Sequence, residues 1–586
     1  MALLSFVTSQ NFEKLSVLLQ WKLLVLAAIP VAVVYYLRRT KTTQGIDIKQ
    51  YSHFPQPEEA DPVRGHWPWI EKSAGLGDPR RAFDEILYEQ AEKLGFPPVL
   101  LVDWRPIEKF LILFILDNEV AEQVTKPSKQ YSTSVPKHPA IQHLAPLVGA
   151  RSLVTTDGEE WKGLRKRILP GFAPSHLLGL VKVILDKSET FIELMEQKAA
   201  TGEEFTIDEY TTNLAFDVIG IVTFDMDLNA QIEGKQSEVL LTYRALSQAF
   251  NKRIPGKNWM REYFTENERT LRRLDKKLDG ILKEEIKKQH KELLAGADTA
   301  SRSVATLSLQ GIDVLTPEIL QQTSDTLRGF LFAGHDTTSI LLQWCFYELH
   351  RRPQSAKDLK DELDEVFGPD QSPKSVIEQL KSPEAGKLLA RLPCKFKIFS
   401  TSFLPSEQLA DRRADTDAVI KEALRLHPPG TTARVAPQGS GTTLTLPNGQ
   451  KLVVDDLCVT PRAYIIQRHP KIFGETKDDF MPERWLGEEG AKIPDSCFRP
   501  YERGPRRCTG SELANLEVRI ILACIARYFE FVKVGQGELD LDEKGQPQLD
   551  EKGFYKTKSV MFSTHLVTAK PVDGMKVKVQ IKGQQA

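Results

Sequence analysis

The chain has 586 residues, with 78 Lys and Arg against 79 Asp and Glu, so its formal net charge is −1. This near-neutral balance argues against the strongly basic surface of a nucleic-acid-binding protein and against an acidic partner surface. The length allows several domains or one large fold. The six cysteines are scattered, with neither a CxxC pair nor the spacing of a disulfide framework, which indicates a reducing compartment for the folded part.

An apolar run at residues 15–37 separates a short tail, 1–14, from a polar segment with two prolines, 38–61. A membrane-spanning helix needs about 20 mostly apolar residues, and the run reaches this length if Lys22 extends its ammonium group towards an interface. We therefore predict a transmembrane anchor, a short linker and one folded domain at residues 62–586.

The flanks of the apolar run predict its orientation. Trp21 lies at one end and Tyr36 at the other, as aromatic side chains do at membrane interfaces. Arg38 and Arg39 follow the run, so the positive-inside rule places the folded domain in the cytoplasm. The alternative is a cleaved signal peptide. It is disfavoured because the basic residues follow the apolar run and no small-residue cleavage site is evident.

Periodicity beyond the linker predicts a mainly helical fold with small β-sheets. Two short runs of β type, 98–103 and 110–116, alternate with helical segments early in the domain. A long apolar helix is predicted at 319–349, and its composition suits a buried position. Amphipathic helical patterns occupy much of the chain between these regions, at 177–198, 208–224, 238–250 and 266–294.

Trp161 and Arg165 are four residues apart in a basic helical segment and therefore share one face. An indole N–H and a guanidinium together suit a carboxylate ligand. The alternative is a solvated basic face with the tryptophan in the core, and this alternative is preferred for the two residues taken alone.

The long apolar helix carries Gly334, His335, Asp336 and Thr337 at its centre. A glycine at such a position costs about 1 kcal/mol relative to alanine, and buried polar groups need partners. Local violations of helix rules of this kind tend to mark functional sites. We assign no role to His335.

Glu422 and Arg425 are three residues apart, so both reach the same side of a helix that Pro428 and Pro429 bring to an end. A buried carboxylate that receives charge-assisted hydrogen bonds from arginine can lock a loop in place. Pairs at this spacing are common in helices, so the pair is weak evidence by itself.

Cys508 follows a loop rich in arginine, glycine and proline and precedes a helical pattern. We expect its thiol to lie at a helix N-terminus, where the helix dipole and free backbone N–H groups favour a thiolate. Arg503, Arg506 and Arg507 add positive charge. A thiolate in this setting is a good ligand for iron. The alternative is a buried structural thiol.

The cysteine loop resembles the haem-binding loop of cytochromes P450, F-x-x-G-x-R-x-C-x-G, in Gly504, Arg506, Cys508 and Gly510. It departs at the first position, where Tyr501 replaces the usual phenylalanine. The ring is retained, so packing on the thiolate side is expected. The two glycines lack a Cβ and would let the backbone pass close to a flat macrocycle.

Three other segments resemble motifs of the same family and occur in the same order along the chain. They are the W-x-x-x-R helix, the A-G-x-[DE]-T-[TS] segment and the E-x-x-R pair, which is followed by the segment whose arginine, Arg484 here, joins that pair. The resemblance implies a cytochrome P450 fold that holds haem b (iron protoporphyrin IX), with Cys508 as the axial ligand. The cofactor-binding residues that it implies are Cys508, Trp161, Arg165, Arg434, Arg506, Gly334, Gly504, Gly510 and Tyr501.

The resemblance also implies individual roles. Trp161, Arg165 and Arg434 would bind the haem propionates. Glu422, Arg425 and Arg484 would support the cysteine loop from behind.

On the opposite side of the haem, Gly334 would permit a local opening of the helix. Thr337 would hydrogen-bond dioxygen or its water, and Asp336 would connect that site to a proton supply.

Residues 394–415 lie where the resemblance implies only a short turn, and they show no clear periodicity. We hypothesise a translated intron, because the codons of Cys394 to Phe396 can contain a GTAAGT donor and those of Ala414 and Asp415 a CAG acceptor. Splicing there would join Pro393 to Thr416 through a single tyrosine. The alternative is a genuine surface loop, which proteins tolerate well.

The function implied is that of a membrane-anchored monooxygenase of the endoplasmic reticulum that hydroxylates, epoxidises or desaturates an apolar small molecule. The loop looks most like the fungal group that modifies polyketides, as in sterigmatocystin and aflatoxin pathways. Electrons would come from NADPH–cytochrome P450 reductase, with cytochrome b5 as a second donor, because no dinucleotide fingerprint is present.

Arg503 and Arg507 are candidates for the docking face of that reductase. Two alternatives stay open for the function. One is an isomerase or dehydratase of the same fold that uses no dioxygen, and the other is a haem-less product if the insertion is real and disruptive.

Overall fold

The computed structural model describes residues 48–58, 60–105, 110–253, 265–296, 303–392, 415–565 and 567–583. The predicted transmembrane anchor at 15–37 and most of the 394–415 insertion lie outside these residues. Among the residues described, no single helix has the length and apolar character to cross a membrane, although the bent pair Gly158–Leu178 and Val181–Thr201 meets both criteria jointly.

Helices make up most of the fold. In the first half of the chain they are α1 (Trp67–Gly75), α2 (Phe83–Lys93), α3 (Asn118–Thr125), α4 (Ala145–Val148), α5 (Gly158–Ile168), α6 (Pro174–Leu178), α7 (Val181–Thr201), α8 (Ile207–Phe224), α9 (Glu238–Asn251) and α10 (Glu266–Leu294). In the second half they are α11 (Val304–Leu309), α12 (Pro317–Arg351), α13 (Pro353–Phe367), α14 (Pro373–Lys381), α15 (Ala385–Arg391), α16 (Asp415–Leu426), α17 (Ala463–Ile466), α18 (Pro470–Phe473), α19 (Gly487–Lys492) and α20 (Ser511–Ile525).

The strands are short and form small sheets. They are β1 (Val99–Asp103), β2 (Leu111–Ile115), β3 (Phe205–Thr206), β4 (Arg434–Val435), β5 (Thr443–Thr445), β6 (Lys451–Val453), β7 (Cys458–Pro461), β8 (Phe529–Lys533), β9 (Ser563–His565), β10 (Ala569–Pro571) and β11 (Lys576–Ile581). One sheet has the order β1-β2-β7-β4, another has β3-β11-β8, and β5-β6 and β9-β10 are two-stranded.

Many helices begin where the sequence supplies a cap. A side-chain oxygen accepts a hydrogen bond from a first-turn backbone N–H in each case, and the capping residues are Asp117, Ser237, Thr265, Ser303, Thr316 and Ser372. Such a cap satisfies one of the N–H groups that the first turn leaves without a partner. Proline follows the cap at Pro317 and Pro373, where its missing N–H costs nothing.

The long helix α12 is the centre of the helical core. Its buried residues cover every side of the helix from Thr323 onwards, and it packs most extensively against α8. A helix that is buried all round belongs in the interior. A second, smaller core forms around the four-stranded sheet and includes Phe54 from the segment predicted as a linker.

The folded body therefore extends to residues before position 62. Phe54 is 3% exposed, and the backbone N–H of Leu101 donates to the carbonyl of Pro55 at 2.8 Å. The described part of the 38–61 segment thus adds to the sheet layer.

Helix α16 begins at Asp415, the last residue of the predicted insertion. The backbone N–H and the hydroxyl of Thr416 both donate to Oε2 of Glu362 on α13. Burial raises the pKa of Glu362 to about 7, and the nearby charge of Asp415 adds to that increase. The start of this helix is thus a place where two buried acidic residues meet.

Candidate functional site

A cavity with about 1580 Å³ of empty space, including solvent at its mouth, lies between α5, α8, α12 and the loop before α20. Its wall contains most of the residues that the sequence singles out: Cys508, Gly510, Tyr501, Arg506, Trp161, Arg165, Arg434, Gly334 and Thr337. Residues far apart in the sequence therefore meet in one chamber. Asp336 and Gly504 are absent from the wall, as are Glu422, Arg425 and Arg484.

The thiol of Cys508 points into this cavity from a helix N-terminus. Helix α20 starts at Ser511 after Gly510, which supplies no side-chain cap. The backbone N–H groups of Gly510 and Ser511 instead donate to the Cys508 sulfur. Burial raises the pKa of the thiol, while these N–H groups, Arg507 and Arg165 oppose that increase. The net change in pKa is upward, so without a ligand the site favours the neutral thiol, contrary to the thiolate expected from the sequence, and a cationic ligand would be needed to favour the anionic sulfur.

The two glycines of the cysteine loop do different things. Gly504 has φ +76°, and a Cβ there would lie 2.0 Å from the carbonyl oxygen of Thr125 at the end of α3. Its absent side chain lets the loop dock on protein backbone, not on a ligand as the sequence led us to expect. At Gly510 a Cβ would meet only the Cys508 sulfur, at 3.9 Å, so this glycine leaves the cavity open beside the thiol.

Tyr501 lines the cavity with its ring, and its hydroxyl donates to Oδ1 of Asn515 on α20 at 3.2 Å. Its carbonyl accepts from the backbone N–H of Cys508 at 3.0 Å. The hydroxyl that distinguishes this residue from phenylalanine thus bonds the following helix.

One edge of the cavity is strongly cationic. Lys137, Arg165, Arg434 and Arg506 all line it, and among the described residues Asp157 is the one carboxylate in ion-pair contact with the four, through Arg506 at 2.5 Å. Burial lowers the pKa of Arg506 to about 10. It lowers the pKa of Lys137 well below the ordinary value, and Arg434 and Arg506 lower it further. Glu502 also lines the cavity and opposes the pKa decrease of both Lys137 and Arg434, so the four cations face two carboxylates and an excess of positive charge remains.

Within the described part of the chain, the side chain of Arg434 lacks one of the hydrogen-bond acceptors that it needs at this edge. The side chain is fully buried, and one terminal nitrogen donates to Ser134 at 2.8 Å and to the carbonyl of Val135 at 3.2 Å. Its Nε has no hydrogen-bond partner among the described residues. A buried donor without an acceptor is costly. Because the cations and this donor converge on one edge, the site fits a flat cofactor that carries carboxylates, as haem does.

Trp161 completes this edge. Its ring lies beneath the guanidinium of Arg506, 4.6 Å from the ring centre, and beside that of Arg165 at 5.4 Å. Arg165 also donates to the carbonyl of Arg507 at 3.0 Å, which ties α5 to the cysteine loop. The predicted sharing of one helix face by Trp161 and Arg165 is therefore present, in a wall and not on a solvated surface.

Helix α12 forms another wall, and it runs from Pro317 to Arg351 without interruption. The predicted opening of the helix at Gly334 is therefore wrong for this structure. A Cβ on Gly334 would lie 2.5 Å from the Ile219 side chain, so this glycine serves close packing against α8. Thr337 lines the cavity, and its hydroxyl donates to the carbonyl of Ala333 at 2.7 Å.

Asp336 turns away from the cavity. Its Oδ1 lies 2.8 Å from Nζ of Lys570 on β10, and its Oδ2 accepts from the hydroxyl of Thr568. Burial would raise the pKa of this carboxyl, but His335 in its protonated form and Lys570 hold it below the ordinary value. Asp336 is thus an ionised, buried group whose partners are on the C-terminal hairpin.

Behind the cysteine loop, Glu422 and Arg425 are both fully buried and form two charge-assisted hydrogen bonds, at 2.7 and 2.9 Å. Arg484 donates to the same carboxylate at 2.8 Å, and so does the indole of Trp485. Burial would raise the pKa of Glu422, but Arg425 and Arg484 keep it below its ordinary value. The cluster is complete in itself.

The cluster reaches the cysteine loop by two routes. Gln467 donates to the carbonyls of Leu424 and Arg425 and accepts from the backbone N–H of Arg499 at 2.7 Å. Trp485 contacts the ring of Phe498 edge-on, with ring centres 5.2 Å apart. Both Phe498 and Arg499 belong to the segment that leads to the thiol.

Sequence reasoning missed Lys137, Gln467 and Trp485. Lys137 and Gln467 lie in irregular or short elements where no pattern marks them. Trp485 directly follows Arg484, so the proximity of an indole donor could have been considered.

The comparisons with known proteins agree on one family. A family model described as Cytochrome P450 matches residues 55–381 and 405–555, with a break that overlaps the 394–415 insertion. Cytochrome P450 monooxygenase polC of Polytolypa hystricis is 29% identical over 446 residues, which cover 74% of this chain and 73% of that protein. Cytochrome P450 monooxygenase acrF of Aspergillus aculeatus is 26% identical over 476 residues, covering 76% and 86%.

A human relative, Cytochrome P450 4V2, is 25% identical over 516 residues that cover 85% of this chain and 88% of that protein. Among solved structures, that of the cytochrome P450DA heme domain has a TM-score of 0.65 at 18% identity, covering 90% of this chain and 97% of that chain. This likeness supports the fold alone, and it confirms the predicted mainly helical architecture with small sheets.

Proposed function

The chain belongs to the cytochrome P450 family, and on that premise we propose that it is a haem-thiolate monooxygenase that oxidises an apolar small molecule with dioxygen. One observation carries the proposal. The Cys508 thiol, the Thr337 hydroxyl and a cationic edge formed by Lys137, Arg165, Arg434 and Arg506 all face the same cavity.

The chain offers a distinct contact to each part of haem b. Cys508 would be the axial ligand, with the N–H groups of Gly510 and Ser511 stabilising the negative sulfur. Arg434, Lys137 and Arg165 would bind the propionates, whose charge balances the cationic edge. When bound, the haem supplies reductive activation of dioxygen, with electrons from a separate NADPH–cytochrome P450 reductase.

The rest of the cavity wall suits an apolar substrate. Phe172, Ile219, Phe330 and Val154 line it together with a few hydroxyl groups such as that of Thr326. Pockets with mostly apolar walls and few polar groups bind small molecules whose orientation those polar groups fix. Two relatives are fungal monooxygenases, which supports a fungal secondary metabolite such as a polyketide as the substrate class, modified by hydroxylation, epoxidation or desaturation.

Thr337 and Asp336 would manage protons. Thr337 lines the cavity and its hydroxyl would hold a water or a proton donor there, while Asp336, the preceding residue, would connect this site to the hairpin behind α12. A positioned acid typically contributes 10²–10⁴-fold to a reaction that needs a proton, on the order of several kcal/mol.

The electron donor would dock near the cysteine loop on exposed basic groups. Arg507 has 38% of its side chain exposed, which suits this role. Arg507 is paired with Glu512 at 2.9 Å, and Arg503 binds Glu122 at 2.9 Å and the carbonyl of Asp495 at 2.7 Å. A single-pass anchor at 15–37 would hold the domain on the cytoplasmic face of the endoplasmic reticulum, where the reductase and cytochrome b5 are the expected donors.

The reduced carbon-monoxide difference spectrum tests the proposal. Wild-type protein should give the long-wavelength band of thiolate-ligated haem, and Cys508→Ala should lose it. Cys524→Ala is the matched control, since this cysteine is buried in helix α20, which follows the Cys508 loop, and does not line the cavity. A Cys508→Ala protein with unchanged spectrum and activity would overturn the assignment.

Measurements of substrate turnover distinguish a monooxygenase from an isomerase or dehydratase of the same fold. The monooxygenase should consume NADPH and dioxygen through a reductase and insert labelled oxygen or desaturate its substrate. Conversion of the substrate without a reductase would instead identify an isomerase or dehydratase. Absence of any haem band in the full chain would support a haem-less product.

A further inference from the structure

The carboxylate of Asp336 and the hydroxyl of Thr337 lie on different sides of α12. Thr337 lines the main cavity, whereas Asp336 contacts the β9–β10 hairpin through Lys570 and Thr568. A proton that Asp336 delivers to the cavity therefore depends on what releases this carboxylate from the hairpin.

Lys570 has a second acidic neighbour. Its Nζ lies 3.5 Å from each carboxylate oxygen of Asp208 in the first turn of α8. Asp208 is fixed there by a hydrogen bond from Gln343 of α12 at 2.8 Å. Its side chain is 26% exposed, against 8% for Asp336. Lys570 is thus placed between a buried and a solvent-accessible carboxylate.

We propose that Lys570 is a positioning residue that alternates between Asp336 and Asp208 and thereby determines when Asp336 can bind a proton for delivery towards Thr337. The inference rests on the proposed monooxygenase function. In the structure Lys570 is closer to Asp336, which is the state in which Asp336 is ionised and directed away from the cavity.

His335 and Lys570 both lower the pKa of Asp336 when they are charged, and of the two Lys570 is the one that is charged at neutral pH. His335 lies 3.9 Å from Asp336, but burial lowers the pKa of this histidine, so it is neutral at neutral pH. Tyr243 faces the same region, and burial raises its pKa well above the ordinary value, so its hydroxyl is also neutral. Thr568 is uncharged. Once Lys570 moves to Asp208, burial is the dominant influence on Asp336 and favours its protonated form.

The same hairpin also reaches the substrate side of the molecule. Thr568 and Ala569 line a smaller cavity next to Gly430 and Thr431, and these last two residues also line the main cavity. A ligand that extends into the smaller cavity would touch the hairpin that carries both partners of Asp336. Occupation by substrate is therefore a physical means of shifting Lys570.

Removing the negative charge of Asp208 tests whether Lys570 moves between Asp336 and Asp208. Asp208→Asn keeps an acceptor for Gln343 but no longer attracts Lys570, which then stays on Asp336. We expect product formed per NADPH to fall about tenfold, peroxide release to rise, and the solvent isotope effect on product formation to increase. Glu204→Gln is the matched control, because Glu204 forms an ion pair with Lys576 at 2.7 Å just before the same helix. It should change none of these values.

A double variant distinguishes this role from a structural one. In Lys570→Met, Asp336 has no cation to release, so coupling should persist to higher pH than in the wild type, and adding Asp208→Asn should cause no further loss. Purely structural contributions would instead combine additively. Additive losses, or normal coupling in Asp208→Asn, would overturn the inference.

Infrared difference spectra of the resting ferric protein give a readout apart from activity. Lys570→Met should show a protonated carboxyl band at neutral pH that the wild type lacks and that Lys570→Met/Asp336→Asn loses. If this band is missing, Lys570 does not set the protonation of Asp336. All variants must retain the carbon-monoxide band of thiolate ligation; its loss in the wild type would contradict the proposed function, independently of the role of Lys570.

Discussion

Two charged clusters flank the cysteine loop, and they differ in completeness. Around Glu422, two arginines and an indole satisfy one fully buried carboxylate at 2.7–2.9 Å. At the cavity edge, four cations outnumber the two nearby carboxylates of Asp157 and Glu502, and Arg434 retains a buried donor without a hydrogen-bond partner among the described residues. The first cluster needs nothing beyond the chain, whereas the second needs an anion that the chain does not provide.

The difference separates residues that support the fold from residues that bind a ligand. A buried ion cluster with all its hydrogen bonds can fix one arrangement of the backbone. A surplus of buried charge costs free energy until a counter-charge arrives, so binding of that counter-charge is favoured. Substitutions in the two clusters should therefore have different consequences, and this contrast can be measured.

The largest effect is expected for Glu422→Ala. This change leaves two arginines buried without their carboxylate, which typically costs about 3–5 kcal/mol of unfolding free energy. That is a large part of the stability of an ordinary domain. Denaturant unfolding and the yield of haem-loaded protein are the measurements. Glu318→Ala, which breaks an exposed ion pair with Arg151 at 2.8 Å, should cost less than about 1 kcal/mol.

Arg434→Met should leave the fold intact and weaken haem retention about tenfold, since a hydrogen bond to a charged group contributes about 1.5–3 kcal/mol. Transfer of haem to an excess of an apo-globin measures this loss. The haem-free protein should unfold no more easily than the wild type, because the variant lacks one buried like charge. Arg167→Met is a suitable control: Arg167 is a half-buried arginine on the same helix as Arg165, and its side chain is not in the cavity wall. Equal haem loss from Arg434→Met and Arg167→Met would contradict the proposal that the cationic cavity edge binds the haem.

The lowered pKa of Lys137 should make the folding stability of the haem-free protein depend on pH. Because burial and neighbouring arginines lower its pKa in the folded state, the unfolded chain binds more protons at pH values between the folded pKa and 10.5. Stability should therefore rise with pH across that window. Lys137→Met should remove this slope, and bound haem should reduce it by offering a counter-charge. Thermal unfolding as a function of pH, with and without haem, provides the check.

The smallest effect is expected for Tyr501→Phe, which restores the usual family residue and belongs to neither cluster. The hydrogen bond from the Tyr501 hydroxyl to Asn515 is lost, so stability should fall by about 1 kcal/mol. The thiolate spectrum should stay the same. A large spectral change would mean that the hydroxyl acts on the sulfur and not only on α20.

Periodicity predicted most of the helical fold from the sequence. The pattern at 266–294 coincides with α10 (Glu266–Leu294), and the apolar run at 319–349 lies within α12 (Pro317–Arg351). These segments are long and strongly patterned, and capping residues such as Thr265 and Thr316 mark their starts. The pattern at 177–198 was less accurate, because the structure divides it between α6 and α7.

Site residues could be predicted from the sequence where they lie at a fixed spacing within one helix or at its start. Cys508 at a helix N-terminus and the Glu422–Arg425 pair are of this kind. Lys137 could not be found in this way, since its place at the cavity edge depends on tertiary packing of an irregular segment. The orientation of Asp336 was also beyond the sequence, because it depends on Lys570, more than 200 positions later in the chain.

Whether the transcript is spliced determines which residue begins α16, and this changes how the stability of the protein depends on pH. Glu362 there has a pKa of about 7 against 4.5 for an ordinary glutamate, partly because Asp415 is its neighbour. The folded chain thus binds a proton that the unfolded chain has lost over this interval, and its stability declines as the solution is brought from acid to neutral. A spliced message would place a tyrosine where Asp415 stands, remove one of the two facing anions, and so yield a protein whose melting point varies less across mildly acidic buffers.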